Sequence, residues 1–378
     1  MPGHPQFWGG SWRGKRSYRE GVPSADLEPR AWRIAHAGHG VDAAFRAFDG
    51  LLRSRISYDA ACWTTLDPAT GLFTASTMTG APKDRETERR LYECEFSQGE
   101  PSTLLSLIER RQSVAILSEV THGEVGRATR FEVFAPMGVT DELRAMLWVD
   151  GVAWGGVVLL RVGGCFGAPD VRAVRHVTKH AAEAVRLALL RGAAARPEVV
   201  NDPPGVLKVG RDGTLVSLTA SAEQWLTRTG PALRFAVTTA AAAIRERPEI
   251  SGARSRLVTD DGHVLSIHAS AMADDPDAVV VIVDKARPAE VSSLLVDAYG
   301  LTARQRDVLG RIMLGRSMSQ LAHSLGISEH TAQDHRKAIY DRMGVSSRSE
   351  LAALLQFEEY DPRVWGEIPP SPYGGFLE

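Results

Sequence analysis

The stretch from Arg316 to Val345, RSMSQLAHSLGISEHTAQDHRKAIYDRMGV, carries a run of side chains able to bond an external polar surface. At helical spacing, Glu329, His330, Gln333, Asp334, Lys337 and Asp341 fall broadly on one side, and Ala332, His335, Ile339 and Met343 on the other. The segment before it puts Met318, Leu321, Ala322 and Leu325 on one apolar face. Between the two, Gly326 supplies the left-handed backbone that ends a helix, and Ile327 plugs the corner. Ser328 offers a hydroxyl to the free amides of the next first turn. Two short helices at a tight turn, the second buried on one face and polar on the other, suit the major groove of a duplex.

Other chemistry is harder to find. The sequence has no phosphate-cradling Gly-rich loop with Lys and no HExxH. His176 and His180 lie four apart on a predicted helix with Glu183 close by, but the sequence supplies no further ligand for zinc. They read as a solvated helix face, and His36 and His39 have the same weakness. Asp260-Asp261-Gly262 is turn chemistry. No catalytic, metal or cofactor assignment follows, and an enzyme is not expected. Cys62, Cys94 and Cys165 have no metal-like spacing and read as reduced, buried thiols. Trp63, Phe131, Met137, Trp148 and Trp154 could line a small-molecule cavity, although periodicity alone cannot separate pocket lining from core.

The chain of 378 residues is long enough for two or three domains, and its 44% apolar and 24% charged residues are ordinary for a globular protein. A net charge of −2 excludes a whole-chain nucleic-acid binder. Between Leu301 and Leu355, however, eight basic residues stand against five acidic ones, a local excess of +3. No apolar run reaches membrane-spanning length, and the basic N-terminus has no apolar core behind it, so a cytoplasmic protein without membrane contact is expected.

The elements that must position the Arg316–Val345 unit can be read in order. Residues 1–30 are rich in Gly, Pro and Arg, with a basic cluster at Arg13, Lys15, Arg16 and Arg19, and are expected to be a disordered tail. A helix with Ala43, Ala44, Phe45, Phe48, Leu51 and Leu52 on one face leads to a hairpin, Ala60–Leu66 and Leu72–Thr77, turned by Asp67-Pro68-Ala69-Thr70-Gly71. Helices are expected over Pro82–Glu93 and Ser102–Arg111, strands over Ser113–Leu117, Glu142–Val149 and Trp154–Val162, and a long helix over Ala168–Leu190. Residues 192–204 read as a linker. Then come a strand, an Asp212-Gly213 turn, a strand, a helix and three more strands with turns at Asp260–Gly262 and Asp274–Asp277. Pro288–Tyr299 reads as a connecting helix. Thr302 with Gln305, and Ser347 with Glu350, fit capping boxes. The only low-complexity tract is Ala240–Ala243, and residues 358–378 read as a flexible tail.

The order of elements over 31–191 resembles a GAF domain, and FAPMGVTDELRAMLWVDGVAWGGVVLLR is similar to the sensor region of many actinobacterial regulators. Residues 205–285 resemble a small PAS domain, with 286–300 connecting. Residues 301–357 resemble the LuxR-type helix-turn-helix: Leu301-Thr302, Arg304, Val308-Leu309, Gly315, Leu321-Ala322, Leu325-Gly326-Ile327-Ser328, Thr331, His335, Ile339, Gly344-Val345 and Arg348 stand as the family has them. The resemblances together imply a multidomain chain, two α+β units followed by an all-α four-helix head. They imply a transcriptional regulator whose third head helix, about Ser328–Met343, enters the major groove, and whose fourth, with Leu351, Leu354 and Leu355, pairs two subunits. Gln333 would face adenine and Lys337 guanine or a phosphate, while Arg316, Ser328, Thr331 and Arg336 would hold phosphates. Three residues depart from the pattern: Gln305 stands for the usual Glu, Ala332 for Val, and Asp334 lies on the groove side, where it can accept from cytosine. Implied partners are double-stranded DNA, a second copy of the chain and RNA polymerase. The front region would sense a small-molecule effector or, alternatively, serve only as a dimerisation scaffold.

Overall fold

The computed structural model describes residues 26–80, 85–194, 203–275 and 277–357. The basic N-terminal cluster, most of the expected linker and the last segment lie outside them. Helix α1 (Leu27–His36) begins inside the stretch expected to be a tail, because Leu27, Ala31 and Ala35 form a buried stripe at helical spacing. Helix α2 (Val41–Arg53) follows, with Ala44, Phe45, Phe48, Leu51 and Leu52 inward.

Next come β1 (Ala60–Leu66), β2 (Phe73–Thr79), α3 (Arg85–Phe96), α4 (Leu104–Glu109), β3 (Val114–Ile116), α5 (Leu117–Val120), α6 (Phe131–Phe134), β4 (Val139–Val149), β5 (Val152–Val162) and α7 (Ala168–Ala194). The strands form one antiparallel sheet in the order β2-β1-β5-β4-β3. Helices α1, α2 and α7 cover one face. Three expectations shift for local reasons. Helix α4 is shorter than expected because Ser102 and Arg111 both have positive φ, and Thr103 takes the cap instead. Strand β5 starts earlier, at Val152, because Asp150 (φ 50°) and Gly151 (φ 75°) make a two-residue turn that keeps the ladder paired up to Val149 and Val152, and β4 starts earlier, at Val139, which pairs with Val162 at the far end of the same ladder. Helix α7 continues to Ala194, into the expected linker.

The second unit comprises β6 (Gly205–Val209), β7 (Leu215–Leu218), α8 (Ala220–Thr229), α9 (Pro231–Glu246), β8 (Ala253–Val258), β9 (Val264–Ala271) and β10 (Val279–Lys285). Its antiparallel sheet runs β7-β6-β10-β9-β8, the same second-first-fifth-fourth-third order as the first. The alanine tract is the middle of α9, where Ala236 and Ala240–Ala243 are all buried. This helix packs against β2 and α3 of the first unit and against β8 and β9 of its own. Small side chains let the backbone approach both sides, and the hydroxyl of Thr239 donates to the carbonyl of Phe73 at 3.2 Å.

A buried ion pair also joins the units. Asp67, in the β1–β2 turn, accepts from Arg256 of β8 through the backbone amide (2.7 Å), Nε (2.9 Å) and Nη2 (2.5 Å). The Arg256 Nη1 donates to the Glu290 carbonyl (2.9 Å) and the Ser293 hydroxyl (2.5 Å) on α10 (Pro288–Ala298). Helix α10 leads into four further helical segments: α11 (Ala303–Met313), α12 (Met318–Leu325), α13 (Glu329–Met343) and α14 (Arg348–Ala352). The last is shorter than expected and passes into a wider π-type turn over Ala353–Phe357. No described helix is long and apolar enough to cross a membrane.

Replacing one partner of the Asp67–Arg256 pair leaves the other charge buried. Arg256→Ala or Asp67→Ala is therefore expected to lower stability by about 3–5 kcal/mol, and the double replacement Asp67→Leu/Arg256→Met by much less. Denaturant unfolding of the three variants checks this. A loss in the double variant equal to the sum of the two single losses would show that the pair does not act as a unit.

Candidate nucleic-acid interface and a cavity in the first unit

Each helix of the C-terminal head starts on a side-chain cap. Thr302 accepts from the Gln305 amide (3.2 Å) and Gln305 accepts from the Thr302 amide (2.9 Å), so the expected box forms with Gln in place of Glu. Ser317 and Gln320 make a second box that the sequence reading passed over (3.2 and 3.1 Å), although its Ser-x-x-Gln spacing was visible. Ser328 caps α13 by accepting from the Thr331 amide at 3.1 Å. At α14, Ser347 accepts from the Glu350 amide (3.1 Å) but the carboxylate of Glu350 reaches past it to the Ser346 amide and hydroxyl (2.7 and 2.8 Å), so that box is displaced by one residue.

Gly326 (φ 63°, ψ 39°) closes α12 in the left-handed conformation, and Arg304 donates to the Leu325 carbonyl at 2.7 Å, which ties α11 to the turn. Leu321, Ala322, Ala332, Ile339 and Met343 are buried with Val308, Leu309 and Ile312, and His335 is half-buried among them. The opposite face of α13 is open: Gln333, Asp334, Arg336 and Lys337 are exposed, while Thr331 is half-buried beside its cap. Arg316 is exposed just ahead of α12. Asp334 lies 3.7 Å from His330 one turn earlier, and the Arg336 guanidinium sits 5.9 Å from the Tyr340 ring.

The local positive charge is divided. Arg304, Arg306, Arg311 and Arg342 bond to the chain itself, Arg306 to Asp297 at 3.0 Å and Arg342 to the Gly300 carbonyl at 2.8 Å. Gly300 (φ 64°) is required there twice over: the backbone is left-handed, and a Cβ would lie 2.3 Å from the Asp150 carboxylate at the β4–β5 turn. The residues expected to pair two copies point inward. Leu351 and Leu355 are buried and Leu354 half-buried, and the Ser292 hydroxyl on α10 donates to the Leu355 carbonyl.

In the first unit, a cavity of about 100 Å³ lies under α3. Of the five residues expected to line a pocket, Met137 does so. Trp63 faces the other side of β1, stacked on Phe45 and Phe48, because side chains alternate along a strand. Trp154 is buried in that same layer, Trp148 donates to the Gln112 carbonyl at 3.3 Å, and Phe131 packs in the small cluster holding Phe134 and Met137. The lining instead comes from Cys62 and Thr64 on β1, Arg144 on β4, Phe235 on α9, and the stripe Glu88, Leu91, Tyr92 and Glu95 on α3. That stripe has i, i+3, i+4, i+7 spacing, a signal present in the sequence.

Glu95 and Arg144 end a buried chain of charges, Glu100–Arg130–Glu142–Arg144–Glu95. Burial pushes Glu142 up, but the charges and hydrogen bonds of Arg130 and Arg144 outweigh it and hold the carboxyl down at about 2. Burial pushes the Cys62 thiol up to about 12. Cys94 is buried as expected, whereas Cys165 is exposed in the loop before α7. His176 and His180 flank Glu28 of α1, each at 3.8 Å, while Glu183 pairs with Arg186. Among the described residues no group of three or more His, Cys, Asp or Glu could hold a metal.

Comparison with known proteins adds a family for the head. Residues 300–355 match the model described as bacterial regulatory proteins, luxR family. The transcriptional regulatory protein MctR of Rhizobium johnstonii is 43% identical over 51 residues, 14% of this chain and 24% of that one. The probable transcriptional regulatory protein SgaR of Hyphomicrobium methylovorum is 43% identical over 54 residues, 14% and 26% of the two chains. The match thus spans about a quarter of these relatives. Among solved structures, the chromophore-binding domain of bacteriophytochrome RpBphP3 from R. palustris aligns over 44% of this chain and 61% of its own, at 14% identity and a TM-score of 0.29. The Vibrio cholerae VqmA dimer aligns over 41% and 82%, at 16% identity and 0.18. With its capped helices, left-handed turn and buried stripe in place, the segment 300–355 is a domain of the luxR family of bacterial regulatory proteins.

Proposed function

We propose that the chain is a DNA-binding transcriptional regulator in which a GAF-like unit (31–191) and a PAS-like unit (205–285) control a LuxR-type head (301–357). The observation that carries this reading is the open polar face of α13, where Gln333, Asp334, Arg336 and Lys337 stand clear of the rest of the chain on a helix fixed by its cap and turn. Gln333 reads adenine through its N6 and N7, Lys337 reads guanine or holds a phosphate, and Asp334 accepts from cytosine. Arg316, Arg336, Ser328 and Thr331 fix the register on the backbone. The common strand order of the two sheets supports reading both front units as related sensor folds, and the cavity under α3 supports a small-molecule effector over a pure scaffold.

Two copies would each read one half-site of a roughly two-fold operator. Pairing through Leu351, Leu354 and Leu355 requires this seam to part from α10, so the contact of α10 with the Ala353–Phe357 turn is the place where the front units bear on the head.

Three outcomes follow. Lys337→Ala weakens binding to operator DNA and, as a phosphate contact, lowers the log–log salt slope by about one unit, measured by fluorescence anisotropy across a salt series. An unchanged affinity and slope removes Lys337 from the interface. Gln333→Ala relaxes the preference at one base pair by about 1–3 kcal/mol, read from a selection on randomised duplexes. A sequence profile identical to the parent's sinks that assignment. Ser292→Ala removes the bond to the Leu355 carbonyl, and raises the dimer association constant in sedimentation by about 2–10-fold. No change would mean that the seam does not limit pairing.

A further inference from the structure

The cavity under α3 owes its space to small side chains on the two central strands of the first sheet. Ala60, Cys62 and Thr64, alternate residues of one face of β1, line it. Opposite them on β5 stand Leu160, Val158 and Gly156. Gly156 offers no side chain, and Leu104 lies so close over it that a Cβ would come 2.7 Å from the leucine Cδ1. The outer strands continue the row: Met78 of β2 is opposite Cys62, and Arg144 of β4 is opposite Val158. Leu91 and Tyr92 of α3, Phe134 of α6 and Phe235 of α9 supply the bulk around this floor.

The charged groups at its wall are already paired. Arg144 bonds Glu142 at 2.7 Å through Nε and Glu95 through Nη1, and Glu95 also accepts from the Leu104 amide. Glu88 has a partner as well. The Thr64 hydroxyl is spent inside the sheet, on the Ala75 carbonyl at 2.9 Å. Burial raises Tyr92 and pushes the Cys62 thiol up to about 12, so both stand neutral at pH 7. An ion of either sign would give up its hydration here and find each lining counter-charge taken. Apolar space of this kind stays dry, and its walls lack partner atoms on one side. An apolar guest restores those contacts and breaks no hydrogen bond. The volume of about 100 Å³ approaches that of the ~150 Å³ apolar cavity that holds benzene.

We propose that this cavity binds a small neutral apolar molecule, the size of a single hydrocarbon ring, held between the Ala60–Cys62–Thr64 floor and the side chains of Leu91 and Phe235. The assignment rests on the sensor reading given above and names the ligand class for it. Phe235 belongs to α9, so the occupant touches both front units at once.

The test titrates the full chain, without DNA, with benzene, benzoate and benzylammonium: one ring bearing no charge, a negative charge or a positive one. Binding is read by ligand-observed NMR and by the thermal midpoint. Benzene is expected to bind and to raise the midpoint, with both ions at least about 10-fold weaker. Cys62→Met adds volume from the floor and Leu91→Trp from α3. Each is expected to keep a cooperative thermal transition and to abolish benzene binding. The probe comparison on the parent chain needs neither variant to fold. Undiminished benzene binding in a folded variant of either kind overturns the proposal. An ion that binds as well as benzene, or better, overturns the ligand class and leaves the sensor reading in place. Absence of binding by every probe removes the ligand class and the cavity's part in sensing together. None of these outcomes touches the DNA reading, which the α13 variants test separately.

Discussion

The guanidinium of Arg256 is buried between a turn of the first sheet and the helix that leads to the head, and every one of its nitrogens is answered. Nε and Nη2 go to the Asp67 carboxylate, and Nη1 goes to the Glu290 carbonyl and the Ser293 hydroxyl. Only such complete pairing makes a desolvated charge tolerable, and the planar fork of arginine makes the arrangement directional. One half of the site is preset locally: an Asp67 carboxylate oxygen accepts from the Ala69 amide within its own turn, and Gly71 supplies the positive φ that closes the hairpin. The other half is a residue 189 positions away, held on β8 by the ladder pairing of Arg256 with Ser266. The two sheets and α10 are therefore placed by one interaction whose geometry admits little variation.

The alanine helix α9 completes that placement by a different kind of force. It lies between the sheets, and it is buried on nearly all sides rather than along one stripe. Alanine offers little area per residue, so the stabilisation comes from how closely backbones approach, not from large side chains. Such a contact is unforgiving of added volume. Phe235 and Leu233 supply the bulk at one end of the helix, and Phe235 meets Phe73 and Tyr92 of the first unit.

What could be read in the sequence divides along the same line. Caps, turns and periodic stripes are local, so the head was legible down to the Thr302–Gln305 box, the turn at Gly326 and the buried Ala332, Ile339 and Met343. The strands of both sheets were legible as short β-like runs, and three of their connections as turns, at Asp67–Gly71, Asp212-Gly213 and Asp260–Gly262. The failures are non-local. Ala240–Ala243 has no contrast between faces, so a helix buried on all sides looked like low complexity. Asp67 looked like an ordinary turn residue, since its partner lies in another unit. Trp63 and Trp154 were chosen for size, but which face of a strand they occupy depends on a register that only pairing decides. The Glu88–Glu95 stripe was available and was passed over, because a carboxylate facing inward from an amphipathic helix contradicts the usual polarity of its faces. Leu351 and Leu355 were correctly apolar, yet whether a seam meets its own chain or a second copy is not written in its spacing.

These contacts define how occupancy of the cavity can bear on the head. Phe235 is at once a wall of the cavity and part of α9; α9 packs on β8; β8 carries Arg256; and Arg256 holds α10, which ends at Ala298, two residues before Gly300 meets the Asp150 turn, and covers Leu355 of the head. A ligand can bias this path only by favouring one arrangement over another, whatever its absolute affinity. One that fits the space as it stands fills the gap beside Phe235, adds contacts on both sides of the α9 seam and holds α10 where it is. One that requires Phe235 to move must shift α9 against alanine contacts that leave no slack, and the displacement passes to β8 and to the Arg256 fork. The fork, being planar and fully bonded, does not yield gradually: it keeps Asp67 and α10 together or it loses one of them. On the sensor reading proposed above, the direction of control would be decided by the size of the occupant relative to the cavity.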